Sequence, residues 1–154
     1  MRGKPAKKRQ LFPDPIYKSR TIARMINKVM LDGEKDNAEN IVYGVLRELS
    51  KDEKEATKIF EEAVKKVMPS QEVRSRRVAG ATYQVPYPVK HERSEALAVR
   101  WMVDAARGKK GKTMEKRLLE EIKNAHEGIG DAIRKRDDTH KMADANRAFS
   151  HFRL

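Results

Sequence analysis

The chain has 154 residues, and its 35 lysines and arginines outnumber its 23 aspartates and glutamates, giving a formal net charge of +12. This balance favours a polyanionic partner, either nucleic acid or an anionic membrane surface. No apolar run approaches the ~20 residues of a membrane span, and the basic start lacks the apolar segment of a secretion signal. The absence of cysteine excludes disulfides, cysteine nucleophiles and thiolate metal sites, and it fits a reducing cytoplasm.

Residues 1–18 are predicted to form a basic extended arm, because three prolines discourage a helix there. Two interpretations of this arm remain open. It is either a solvated, disordered tail or a segment that becomes ordered on RNA, and the charge of the whole chain favours the second. Its candidate RNA-binding cations are Arg2, Lys4, Lys7, Lys8 and Arg9.

From position 19 onward, apolar residues recur at helical spacing, which predicts three helices before a proline at position 69. The first helix stops near Gly33. The second has a start signal, with Asp36 as the expected cap and Glu39 three residues later. The outer faces of the second and third helices mix both charge signs, which is typical of a solvated surface, so they receive no RNA-binding role.

Residues 71–89 predict a β-hairpin, because β-branched and aromatic residues alternate with polar residues and prolines around the turn Ala79-Gly80-Ala81. We expect its base to pack on the fourth helix and its slim tip to bind RNA. Arg74, Arg76 and Arg77 would meet phosphates, and Tyr83 would lie near enough to stack on bases. The alternative is that the hairpin aromatics only pack and the arginines are only solvated.

Three further helices are predicted after His91. Ser94 is the expected cap of the fourth helix and Thr113 that of the fifth. Trp101 lies in an apolar stripe and is expected to join the core. The last helix starts near position 131 and is expected to carry Ile133, Met142, Ala143 and Asn146 toward Phe149. The sequence thus predicts a mainly α-helical single domain, residues 19–154, with about six helices and a hairpin between helices three and four.

No catalytic or metal site is evident. The histidines lack metal-ligand spacing, and no carboxylate pair stands out for acid–base catalysis. Residues 108–113 superficially resemble a phosphate-binding P-loop, but they have two residues between the glycines where that loop needs four, and they follow a helix. We therefore expect a protein that is not an enzyme and that holds neither a metal nor a cofactor.

Positive charge also gathers in the linker between helices four and five and at the start of the last helix, residues 134–136. Lysine and arginine in such clusters neutralise RNA phosphates and release counterions. The linker candidates for RNA binding are Arg107, Lys109, Lys110, Lys112 and Lys116.

Several longer motifs follow one another along nearly the whole chain. They include Asp14-Pro-Ile-Tyr17-Lys-Ser19, Val73-Arg-Ser-Arg-Arg-Val78, Gly80-Ala-Thr-Tyr-Gln-Val-Pro86, Arg100-Trp101, Lys112-Thr-Met114 and Ala145-Asn-Arg-Ala-Phe149. In this order and spacing, the chain resembles the bacterial type of the small-subunit ribosomal protein seven family.

The resemblance implies a six-helix structural protein that binds the 3′ major domain of small-subunit rRNA and helps nucleate assembly of the subunit head. It implies a monomer within the cytoplasmic ribosome, beside exit-site tRNA, mRNA and neighbouring ribosomal proteins. The arm, Lys35 and the linker lysines would meet rRNA, and the last helix would face the tRNA side and a neighbouring protein. The resemblance would also place five hairpin residues near tRNA and mRNA, namely Arg74, Arg76, Arg77, Gly80 and Tyr83.

If the family resemblance is set aside, the residues leave two alternative functions open. A DNA-binding architectural protein is possible because helix pairs and basic hairpins can enter DNA grooves, and it predicts duplex DNA bound as tightly as rRNA. An RNA-processing enzyme is the other alternative, and it predicts turnover of RNA or a bound metal.

Overall fold

Six α-helices and one antiparallel hairpin form the part of the chain that the computed structural model describes, residues 3, 6 and 9–153. The hairpin lies between the third and fourth α-helices, so the predicted fold class is confirmed. A C-terminal 3-10 helix, Arg147–Arg153, follows the last α-helix and was not predicted. The elements are α1 (Arg20–Val29), α2 (Lys35–Leu49), α3 (Glu53–Val67), β1 (Gln71–Val78), β2 (Ala81–Pro88), α4 (His91–Gly108), α5 (Met114–Glu127) and α6 (Asp131–Ala145).

One hydrophobic core joins all six α-helices, with Phe60 of α3, Met102 of α4 and Ile122 of α5 buried in it. Trp101 packs against this core, as expected. Of the residues expected along one side of the last helix, Ile133 and Ala143 are buried, whereas Met142 is 50% exposed. Met142 and Ala143 differ because successive residues of a helix point about 100° apart.

Two of the predicted helix caps are wrong. α2 already begins at Lys35, so Asp36 lies within its first turn. α4 begins before Ser94, whose buried hydroxyl donates a hydrogen bond to the carbonyl of Pro69 at 2.7 Å. That bond joins the start of α4 to the end of the preceding segment, a tertiary role that local pattern cannot show. Thr113 occupies the predicted cap position of α5 without a side-chain capping bond.

A buried carboxylate fixes the segment that leads into α1. Oδ2 of Asp14 accepts hydrogen bonds from the backbone N–H groups of Ile16 at 3.1 Å and Tyr17 at 2.9 Å. Its Oδ1 accepts a hydrogen bond from the phenol of Tyr43 in α2 at 2.7 Å, and its carbonyl accepts one from the N–H of Lys18 at 2.9 Å. Hydrogen bonds to charged groups each contribute about 1.5–3 kcal/mol, so these bonds hold the segment firmly on α2.

Burial, together with the hydrogen bond to Asp14, raises the pKa of Tyr43 above its ordinary value of 10.0. The unfolded phenol ionises near that value, so its contribution to stability is complete below about pH 10 and is lost as the pH rises towards the folded-state pKa. We predict that Tyr43→Phe lowers the free energy of unfolding by about 1–2 kcal/mol at neutral pH. Urea unfolding at neutral pH and at about pH 11 should show the difference from wild type narrowing at the higher pH. A constant difference would contradict this account.

Candidate nucleic-acid interface

The hairpin has a two-residue turn. Val78 pairs with Ala81, which leaves Ala79 and Gly80 to reverse the chain. Both have positive φ, 49° and 87°, as a type I′ turn requires. The turn is therefore one residue shorter than the expected Ala-Gly-Ala tip. Gly80 supplies the left-handed backbone that lets the tip stay slim and exposed.

The hairpin arginines that the sequence singled out have different surroundings. Nε of Arg74 donates to a carboxylate oxygen of the buried Glu72 at 2.7 Å, and its guanidinium lies 5.6 Å from the ring centre of Tyr87. Arg93 of α4 reaches the other oxygen of Glu72 at 3.3 Å. The Arg93 contact joins the base of the hairpin to α4, whereas the Arg74 contacts lie within the hairpin. Arg77, close to the tip, is exposed and has no partner among the described residues.

The cross-strand pair Arg76 and Tyr83 faces the C-terminal 3-10 helix. The Tyr83 ring centre lies 5.2 Å from that of Phe149 and 5.0 Å from that of Phe152. Nη1 of Arg76 donates a hydrogen bond to the carbonyl of Phe152 at 2.6 Å. Tyr83 therefore packs on the chain's own aromatic residues, which differs from the expectation that it stands free for RNA bases. The pattern around Tyr83 could not show this, because its partners lie in a helix too short for a periodic signal.

Lys109 of the linker is engaged inside the protein. Its Nζ lies 2.7 Å from Oε2 of Glu121, a carboxylate that is completely buried. Oε1 of Glu121 accepts a hydrogen bond from the N–H of Ala132, in the first turn of α6, at 2.9 Å. Gly130 makes this approach possible, since its φ of 105° suits glycine and a Cβ there would lie 3.0 Å from Glu121 Oε1. The contact joins the linker to α5 and α6.

The other linker cations are held more weakly or are free. Lys112 pairs with the exposed Glu120 and lowers the pKa of that carboxyl by its hydrogen bond. Such surface pairs are weak because water screens them, so a phosphate can replace the carboxylate. Arg107 donates to two carbonyl groups at the end of α1, at 3.3 and 3.4 Å. Lys110 and Lys116 are exposed, and their side chains have no partner among the described residues.

The structure describes only some of the N-terminal cations that were predicted to bind RNA. Arg9 is exposed, and Lys35 begins α2 with its Nζ 3.1 Å from the carboxylate of Glu39, one turn further on. The remaining predicted cations of the arm lie outside the described residues, namely Arg2, Lys4, Lys7 and Lys8.

The structure also gathers cations that the sequence analysis did not single out. Arg20, Arg24 and Lys28 follow one another at four-residue intervals on α1, away from its buried residues, and Arg100 of α4 lies beside them. Two cavities of about 360 and 330 Å³ border these side chains, one beside residues 9–11 and one between α1 and α4. We call this surface the α1–α4 basic groove; its cations are Arg9, Arg20, Arg24, Lys28 and Arg100.

Most of the groove's cations are available to a ligand. Arg24 is held by Glu95 at 2.5 Å. The side chains of Arg20, Lys28 and Arg100 have no partner among the residues that the structure describes. Glu92 also lines the groove but leaves cations in excess. The four-residue spacing on α1 was the signal that could have revealed this surface from sequence, because it places cations on one helix face.

No helix among the described residues is long and apolar enough to cross a membrane. Within the same residues, no group of three or more histidines or carboxylates could hold a metal ion.

The helical fold, the basic hairpin and the cation-lined groove together define a nucleic-acid-binding protein. A family model described as Ribosomal protein S7p/S5e matches residues 1–147. The chain is 51% identical to small ribosomal subunit protein uS7 of Fervidobacterium nodosum over 154 residues, covering 99% of each chain. It is also 51% identical to uS7 of Thermotoga neapolitana over 156 residues, again 99% of each chain. With uS7 of Carboxydothermus hydrogenoformans it shares 50% identity over 152 residues, 97% of this chain and 96% of the relative.

The chain therefore belongs to the ribosomal protein S7p/S5e family, and the resemblance seen in the sequence is confirmed. Membership makes it a structural, RNA-associated component of the small ribosomal subunit rather than an enzyme.

The linker offers a matched test of which lysines serve the fold. Lys109→Met keeps the aliphatic stem but leaves the Glu121 carboxylate buried without its cation. Breaking such a pair is costly, and we predict a loss of about 2–4 kcal/mol in the free energy of unfolding. Lys110→Met, one residue away, should change it by less than about 0.5 kcal/mol. Urea unfolding of both variants measures the difference, and equal stabilities would refute the structural role of Lys109.

Proposed function

We propose that this chain binds the 3′ major domain of small-subunit rRNA and helps nucleate assembly of the subunit head. We further propose that it does so as a monomer that lies near exit-site tRNA and mRNA in the ribosome. The observation that carries the proposal is the α1–α4 basic groove, in which Arg20, Lys28 and Arg100 have no partner among the described residues. Membership of a ribosomal protein family supports rRNA as the polyanion.

The mechanism is electrostatic attachment combined with recognition of folded RNA. Free cations in the groove and the linker would neutralise phosphates and release counterions. The core holds these cations at fixed separations, so RNA helices that match this spacing are favoured over other arrangements of the same charge. Binding one such arrangement lowers the cost of bringing the RNA helices together. The rRNA-binding residues that we propose outside the groove are Arg2, Lys4, Lys7, Lys8, Lys35, Arg107, Lys110, Lys112 and Lys116.

The hairpin is proposed to contact tRNA or mRNA through its tip. Arg77 is free and Gly80 keeps the tip slim, whereas Arg76 and Tyr83 contact the C-terminal 3-10 helix and Arg74 contacts Glu72 within the hairpin. We therefore assign Arg77 to RNA contact, and Arg76 and Tyr83 to holding the hairpin in a fixed direction. A hairpin anchored in this way loses little conformational entropy when it meets its ligand.

The last helix is proposed to contact a neighbouring ribosomal protein. Met142 on α6 is 50% exposed and Ile129, just before α6, is 55% exposed. Exposed apolar side chains of this kind support a protein neighbour rather than an RNA backbone. The basic arm, residues 1–18, is proposed to reach rRNA beside the domain of residues 19–154.

The decisive experiment compares binding to the 3′ major domain, to an unrelated RNA of equal length and to duplex DNA, across a range of salt concentrations. We predict that the rRNA domain keeps an advantage of about three orders of magnitude or more at physiological salt. Equal affinity for all three would reject the proposed function and favour the architectural DNA-binding alternative.

A second experiment tests the groove itself. We predict that the combined variant Arg20→Ala, Lys28→Ala, Arg100→Ala lowers the slope of log affinity against log salt by about 3, because each phosphate contact contributes about 1. The matched control removes three exposed cations from α3 and the turn that precedes it, by Lys51→Ala, Lys54→Ala and Lys58→Ala. Filter binding of the rRNA domain measures both slopes. A control variant that loses as much slope as the groove variant would show that net charge, and not the groove, determines binding.

A further inference from the structure

A cavity of about 360 Å³ lies between the segment that precedes α1 and the first turns of α2. Leu11, Phe12 and Pro13 contribute its apolar lining. Asn27 of α1, together with Lys35 and Glu39 of α2, contributes polar groups. This volume is at the lower end of the range for small-molecule sites, about 300–1,000 Å³, which suits a single monomer unit rather than a helical duplex.

Phe12 is the unusual member of this lining, because it is 80% exposed. A single exposed apolar residue is common on protein surfaces and would need no explanation alone. Here, however, the ring borders a cavity that also holds a lysine and an amide, in a protein of net charge +12. The hydrogen bonds of Asp14 anchor the chain two residues further on, so Phe12 lies close to a fixed point beside the cavity.

We propose that this cavity binds one unstacked nucleotide of the rRNA, with its base stacked on Phe12 and its phosphate at Lys35. The inference rests on the proposed function and adds to it a ligand unit and the residues that bind it. Unpaired bases stacked on aromatic side chains are the usual target of sequence-dependent RNA recognition. The aromatic face and the cation therefore provide the two groups that one nucleotide needs.

The polar groups of the cavity determine how the nucleotide lies. Lys35 pairs with Glu39 at 3.1 Å, one helical turn apart, and its side chain is 60% exposed. Such a pair is weak, so the ammonium can turn to a phosphate without a large loss. The Glu39 carboxylate repels that phosphate and can accept a hydrogen bond from the exocyclic amine of a base. Asn27 can both donate to and accept from a base edge.

The test uses the full chain and the RNA of the 3′ major domain. We predict that Phe12→Ala and Phe12→Leu weaken binding by roughly 5- to 100-fold, because base stacking on an aromatic residue is lost in both. Phe12→Trp should bind as wild type does, since it keeps an aromatic face. Leu31→Ala is the matched control, because Leu31 is also exposed, at 62%, but does not line the cavity. Its affinity should equal that of the wild type.

The outcomes separate this inference from the proposed function. Thermal melting of each variant checks folding, and the Phe12 variants should melt as wild type does because the ring is mostly exposed. If wild type prefers the rRNA domain but Phe12→Ala binds equally well, the nucleotide site is refuted and the proposed function stands. An equal loss in Phe12→Leu and Phe12→Trp, or in Phe12→Ala and Leu31→Ala, refutes stacking at this site. If wild type shows no preference for the domain, both proposals fail.

Discussion

The completely buried carboxylate of Glu121 joins three parts of the chain, namely α5, the linker that precedes it and the start of α6. It meets Lys109 from the linker and the backbone N–H of Ala132 at the start of α6. α6 in turn packs against β1, and its His140 accepts a hydrogen bond from the N–H of Ser70 at 3.0 Å. α6 therefore helps to set the direction of the hairpin, and the Lys109–Glu121 ion pair adds a buried polar contact to the core packing of Ala132 and Ile133 at the start of α6. Because an unpaired buried charge is costly, the start of α6 is most stable where the N–H of Ala132 and Lys109 both reach the Glu121 carboxylate.

The cost of an unpaired buried charge also distinguishes the cations that stabilise the fold from the cations that can bind a ligand at the surface. A chain with a net charge of +12 repels itself when it folds, so each cation that binds a buried acid reduces that repulsion. Glu72 and Glu121 are the buried glutamates in the described chain, and together they engage Arg74, Arg93 and Lys109. Cations whose partners are exposed or absent remain available to phosphates. A polyanion can recruit these without exposing a buried charge.

Periodicity alone predicted the six α-helices and the place of the hairpin, because a helix or strand that buries one face must repeat its apolar residues. Periodicity could not predict features that depend on contacts between residues far apart in the sequence. Ser94 looked like a cap, but its hydroxyl binds the carbonyl of Pro69 instead. The 3-10 helix that covers Tyr83 is too short to show a period. The cations of α1, in contrast, are visible at four-residue spacing, although they form no dense run of charge because they are not consecutive in the sequence.

Neighbouring residues show why charge density is a poor guide to RNA contact. Glu120 and Glu121 are adjacent, yet the side chain of the first is 43% exposed and that of the second is fully buried, because successive helical residues point about 100° apart. Their lysine partners, Lys112 and Lys109, follow the same division. A basic run therefore contains residues that hold the protein together and residues that can bind RNA, in an order fixed by the helices beneath it. The residues that hold the protein together keep the RNA-binding residues at fixed separations. Part of the entropy that RNA binding would otherwise lose is therefore already lost when the chain folds.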